Sequence, residues 1–180
     1  MTTQITDNGQ RYGFVTRALH WGSAGLLAAL AVLGWVSEDL PKAVQADLMG
    51  AHISLGIGFL VLVGARIAWR VWQGWPEFHE TGSRLLQRMA RWMHLALFGF
   101  MILLPVTGWV IVSAAGQDAS FFGLFSLPQM VPESHFIEDG AEEVHETLVS
   151  VMLFLVGVHV LAVFKHKYFD RDRVVNRMIG

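Results

Sequence analysis

His145 and His159 stand fourteen residues apart in one apolar stretch, close to four whole helical turns, so both rings leave the same face of one helix. At the helical rise they lie ~21 Å apart along its axis. That puts one near each edge of a hydrocarbon layer roughly 30 Å thick. Three further apolar stretches carry a histidine near an end: His20, His52 and His94. Histidines within membrane segments are rare and mark functional sites. A neutral imidazole suits iron, copper or zinc, and the rest of the lining decides between them. Carboxylates and thiols are missing from the apolar interiors, which disfavours zinc and di-iron carboxylate chemistry. Two stacked bis-imidazole haems need only histidine, apolar walls and small residues.

Four elements must position these rings. The chain has 180 residues, 53% of them apolar and only 16% charged, a membrane-protein composition with little left over for a soluble domain. Stretches of roughly Ala18–Val36, Ala51–Trp72, Trp92–Val112 and Thr147–Phe164 are each long enough to span a bilayer as a helix. The expected fold is all-α: one membrane domain over residues 1–180, an up-down four-helix bundle holding two stacked haems. The first stretch exceeds a signal-peptide core and lacks a small-x-small cleavage site, so it reads as a span. The absence of cysteine excludes disulfides, iron–sulfur clusters and C-x-x-C-H haem attachment, so a haem is non-covalent, held by axial ligands and packing. Gly34, fourteen residues after His20, shares its helix face and leaves room for a porphyrin. Gly56, one turn after His52, acts likewise. Neither an internal repeat nor a low-complexity tract is evident.

Charge sets the orientation. With both termini inside, twelve of the 13 basic residues fall on or near the cytoplasmic side, and only Lys42 lies outside. The positive-inside rule opposes the reverse arrangement. Ten acidic residues face out, among them Glu38, Asp39, Glu138, Asp139, Glu142, Glu143 and Glu146, giving formal charges of +7 inside and −9 outside. The seven tryptophans, Trp75 included, lie near helix ends as an aromatic belt. One sizeable extramembrane segment, roughly Ala114–Glu146, carries Phe121, Phe122 and Phe125, which suit a short amphipathic piece at the interface.

In this orientation His20, His94 and His159 share the inner layer, and His52 and His145 the outer one. The outer pair has no competitor within the spans, since His135 reads as a loop residue. The inner pair stays open on spacing, because His159 can face His20 or His94. Arg66, fourteen residues after His52, offers the inner layer a cation for a haem propionate, and Arg70 offers another. Lys165 and His166 follow His159 by about two turns and are candidate contacts for a quinone near the inner haem, or anchors for the helix end among headgroups. Isolated histidines would serve as hydrogen-bonding residues between helices. Two same-depth sets point instead to ligands, and a proton relay would recruit Asp or Glu within the spans.

These residues resemble the bacterial cytochrome b561 family of small four-helix di-haem membrane cytochromes. Arg17-Ala-Leu-His-Trp21 is similar to its R-x-L-H-W opening, and His52-Ile-Ser-Leu-Gly56 to its H-x-S-L-G. Arg66 to Arg70, His94-Leu-Ala-Leu-Phe98, Pro105-Val-Thr-Gly-Trp109, His145-Glu-x-Leu148 and His159 with Lys165-His166 and Asp170-Arg171-Asp172 extend the likeness from Arg17 to Arg173. Lys167 departs from it, where the family often has a second histidine. The resemblance implies that His20 and His159 ligate an inner b-type haem and His52 and His145 an outer one, with His94 left as a non-ligand. It also implies a protein of the bacterial inner membrane that oxidises superoxide on the outer side and reduces ubiquinone.

Two haems across a membrane, with a two-electron carrier at one end, make a one-electron wire feeding quinone. An outer face near −9 repels the superoxide anion and favours a cationic protein donor. The alternatives are a generic quinone-linked cytochrome b, a haem-bearing membrane anchor for a periplasmic oxidoreductase or hydrogenase, and a non-redox haem-binding membrane protein.

Overall fold

The computed structural model describes residues 4–8, 11–37, 40–74, 83–170 and 175–179. Glu38, Asp39, Trp75, Arg171, Asp172 and Arg173 lie outside them. Four long helices, α1 (Phe14–Ser37), α2 (Lys42–Gln73), α3 (Arg84–Ala114) and α4 (His135–Phe164), are each long and apolar enough to cross a membrane. A π-helical turn, Lys165–Asp170, prolongs α4, and a short α5 (Asn176–Ile179) follows. The chain is a multi-pass membrane protein. Side chains such as Trp35, Val71 and Phe154 are largely exposed on its flanks, where an apolar surface has lipid to face.

The helices pack in chain order, α1 on α2, α2 on α3 and α3 on α4. A seven-residue spacing, close to two turns, brings one residue per helix to the axis at each of three levels. His20, Leu27 and Gly34 do this on α1, and His52, Phe59 and Arg66 on α2. On α3 they are His94, Met101 and Gly108, and on α4 His145, Met152 and His159. The middle level is the core: Phe59, Met101 and Met152 are buried together with Leu30, Val63 and Leu104, and Leu27 packs against them. The levels above and below hold five imidazoles, those of His20, His52, His94, His145 and His159.

That regularity reflects an internal repeat, a correction to the sequence reading. Arg17, His20, Gly25, Leu30, Val32 and Gly34-Trp35-Val36 recur 74 residues later as Arg91, His94, Gly99, Leu104, Val106 and Gly108-Trp109-Val110. His52, Leu55, Leu60, Leu62, Val63 and Gly64 recur 93 residues later as His145, Leu148, Leu153, Leu155, Val156 and Gly157. The two registers differ by 19 residues because the α3–α4 connection is longer. Each half is one helical hairpin.

The longer connection, within the extramembrane segment of roughly Ala114–Glu146, carries regular structure. Ala119–Phe121 and Phe125–Leu127 form an antiparallel hairpin, turning at Phe122 and Gly123, both at positive φ (47° and 73°). Its strand Phe121 packs over Gly58 of α2. Ser54 Oγ accepts from Phe122 N at 3.0 Å and donates to Ser120 O at 3.0 Å, fixing the hairpin over the start of α2. α4 then begins at His135, capped by Ser134, some three turns before the apolar run. Apolar content locates the span and not the helix, so this acidic first part escapes it. Acidic residues there also suit a helix N-terminus.

At the opposite end both termini meet. Asp7 accepts from Gly13 N (2.8 Å), Thr16 Oγ1 (2.7 Å) and Arg70 Nη1 (3.2 Å), and Trp69 Nε1 donates to Thr16 Oγ1 at 2.9 Å. Tyr12 N donates to Arg177 O, and Trp21 Nε1 to Met178 O. Burial pushes the Tyr12 hydroxyl above the usual phenol range.

Candidate functional site

At the hairpin end the site is built from the repeat. A Cβ on Gly34 would stand 3.6 Å from His52 Cε1, and a Cβ on Gly108 would stand 3.6 Å from His145 Cε1. Each imidazole therefore lies flush against a glycine of its own hairpin, and a longer side chain there would fill the space beside the ring. Gly34 stands at the level that its spacing from His20 implies, against the His52 ring. Gly108 was missed, although it follows His94 at the spacing by which Gly34 follows His20. Gly56 has nothing within 4 Å of a built Cβ.

The polar atoms of this level show what it can bind. His52 Nδ1 is buried without a close hydrogen bond, and the Leu30 backbone is the polar group that bears on the ring. His145 Nδ1 is 2.8 Å from Thr107 Oγ1, and the Thr107 hydroxyl itself donates to Leu104 O at 2.9 Å. The buried polar residues among those described are serines and a threonine, and the enclosed Asp7 carboxylate lies at the opposite end, paired with Arg70. Two neutral imidazoles between glycine and apolar walls fit the axial ligation of a haem. Among the described residues, no group of three or more His, Cys, Asp or Glu is placed to hold a bare metal ion.

The level near the termini gathers His20, Arg66, His94 and His159. The repeat makes His20 equivalent to His94, and Arg66 to His159. Arg66 Nη2 lies 3.2 Å from His20 Nδ1, and its guanidinium also reaches Met101 Sδ and the Phe98 ring. An arginine can only donate, so His20 Nδ1 accepts and a neutral His20 carries its proton on Nε2. His94 is the converse. Its Nδ1 is 2.7 Å from Ala90 O, which leaves Nε2 as the bare nitrogen, and its ring meets that of His159 edge-on with centroids 5.4 Å apart.

The remaining candidates sit at the rim. Arg70 is tied to Asp7, so Arg66 is the arginine that reaches the imidazole cluster. Lys165 and His166, on the π-helical turn, share Asp170 Oδ2. His135 is the first residue of α4 rather than a loop residue; it is exposed and paired with Glu138 at 3.2 Å.

Residues 11–180 match the family described as prokaryotic cytochrome b561. Cytochrome b561 homolog 2 of Escherichia coli (strain K12) is 29% identical over 178 residues, covering 98% of this chain and 95% of the relative. The protein named probable superoxide oxidase CybB, from Yersinia pestis, is 26% identical over 174 residues, covering 94% and 96%. Cytochrome b562 of Cereibacter sphaeroides is 25% identical over 167 residues, covering 89% and 90%. Four membrane-crossing helices, imidazoles at two depths and a match along nearly the whole length have one reading: this chain belongs to the prokaryotic cytochrome b561 family of b-haem membrane electron-transfer proteins.

Proposed function

We propose that the chain carries two b-type haems, one between His52 and His145 and one between His20 and His159, and passes electrons from the outer face of the bacterial inner membrane to ubiquinone. The observation that supports this most is the three-level axis, with imidazoles above and below one apolar layer. Bound haem supplies reversible one-electron chemistry at iron. His52 and His145 hold the entry site, backed by Gly34 and Gly108. At the exit site Arg66 is held by His20 Nδ1, so ligation through His20 Nε2 requires that contact to open. A propionate is the natural acceptor for the released guanidinium.

The donor in this reading is superoxide, as the name of the Yersinia pestis relative suggests. Two superoxide anions each lose one electron and leave as dioxygen, while one ubiquinone gains two electrons and two protons. Lys165 and His166 at the rim, with Arg70 beside Asp7, are the candidate contacts for a quinone at the exit level. His166→Ala should slow haem reoxidation by a soluble quinone analogue about tenfold with an unchanged haem spectrum. Unaltered kinetics in His166, Lys165 and Arg70 variants would move the quinone elsewhere.

One observation favours a second donor. Exposed Asp139, Glu142, Glu143 and Glu146 cluster on the first turns of α4, at the entry end, and would attract a basic protein. Salt separates the two. Raising ionic strength shortens the Debye length to about 10 Å at 0.1 M, so superoxide entry should quicken as repulsion is screened, whereas entry from a basic donor should slow. Stopped-flow haem reduction measures both. A superoxide rate that falls with salt would mean that a local positive entry near Lys42 outweighs the acidic face.

A further inference from the structure

We propose that Thr107 is a positioning residue that fixes the ring tautomer of His145 and thereby lowers the reduction potential of the haem at the hairpin end. The inference rests on the proposed ligation by His52 and His145. A hydroxyl has one proton to give. Thr107 Oγ1 lies 2.9 Å from Leu104 O, a carbonyl that can only accept, so the proton goes there, in the back-bond that threonine commonly makes within a helix. Toward His145 Nδ1, 2.8 Å away, the same oxygen can then only accept. The proton of that bond belongs to Nδ1.

A neutral imidazole protonated at Nδ1 keeps its lone pair on Nε2, the nitrogen a metal takes, and a hydrogen bond given by Nδ1 raises the basicity of the ligand. A more basic axial ligand favours the oxidised iron. Thr107 thus acts twice on one ring, choosing its donor atom and enriching it.

The other ligand has no such partner. In the 74-residue register the position of Thr107 is occupied by Leu33, so His52, with the Leu30 backbone bearing on its ring and no close hydrogen bond at Nδ1, has no hydroxyl to meet. Since Gly34 meets His52 as Gly108 meets His145, the two ligand environments differ chiefly in this hydroxyl. A threonine that merely satisfied itself would need only Leu104 O. The Leu104 backbone also faces the His145 ring, as the Leu30 backbone faces that of His52, so what Thr107 adds at this end is the hydroxyl.

The test is a spectroscopic redox titration of the full chain, following the midpoint component that His52→Ala removes. Thr107→Val keeps the shape and removes the hydroxyl. It should retain two haems and shift that component about tenfold toward the reduced form, ~59 mV upward for one electron. Thr107→Ser should restore the wild-type midpoint, and Leu33→Thr, which offers His52 a hydroxyl, should lower it. If Thr107→Val loses the haem while Thr107→Ser keeps it, the hydroxyl is needed for ligation itself, and Leu33→Thr still reads the potential. Equal behaviour of the Val and Ser variants, shifted or unshifted, with two haems bound would overturn the role of Thr107 alone. A wild-type chain with one haem, or with both retained in His145→Ala, would overturn the ligation reading beneath it.

Discussion

Replacing His145 by alanine is expected to halve the haem content of the purified protein, from two to about one per chain by pyridine haemochrome assay. His52→Ala should do the same. Either change leaves a single imidazole at a level where glycines Gly34 and Gly108 face the rings and no described side chain can substitute. The nearest further histidine at that end, His135, is exposed and engaged by Glu138. The residual spectrum should belong to the other level, because the buried layer of Phe59, Met101 and Met152 stands between them. Full haem content in His145→Ala would remove the pairing on which the entry site is built.

The level near the termini should respond unevenly to its three histidines. His159→Ala and His20→Ala are each expected to lower haem content to about one per chain, and His94→Ala to leave it near two. His94 presents a bare Nε2 beside His159, whereas His20 ligates through Nε2 only once Arg66 has left its Nδ1. Haem retained in His20→Ala and lost in His94→Ala would assign the exit site to the α3–α4 hairpin alone. In the expected case, Arg66→Met should weaken haem retention at that level by removing the partner for a propionate.

Much of this arrangement was legible in the residues. The four spans follow from apolar length, and the two depths follow from fourteen-residue spacings that close on whole turns, as the meeting of Gly34 with His52 illustrates. What escaped has identifiable causes. The first turns of α4 are acidic, and a polar helix outside the bilayer leaves no mark on an apolar window. Phe121, Phe122 and Phe125 suit an interfacial turn as well as a hairpin; Gly123 at positive φ was the available cue. The repeat is dispersed at helical intervals and offset by a longer second connection, so it emerges only when Gly34 and Gly108 are seen against equivalent rings. Thr107 was invisible for another reason. Its contact depends on a rotamer, and no spacing rule reports which way a hydroxyl points.

The apolar layer between the two imidazole levels has a consequence for energy conversion. Phe59, Met101, Met152 and Leu27 offer no chain of hydrogen-bonding groups, so protons have no relay along the axis, while electrons can tunnel through the packed side chains. Charge movement is thereby uncoupled from proton movement within the bundle. For the proposed direction, each electron travels inward across ~21 Å of a layer roughly 30 Å thick, against an inside-negative membrane potential. A full crossing costs about 2.3 kcal/mol per electron for each 100 mV, and the two levels cover roughly two-thirds of it. Quinone protonated from the cytoplasm completes the separation. Turnover is then electrogenic: it adds to the membrane potential, and an already energised membrane slows it.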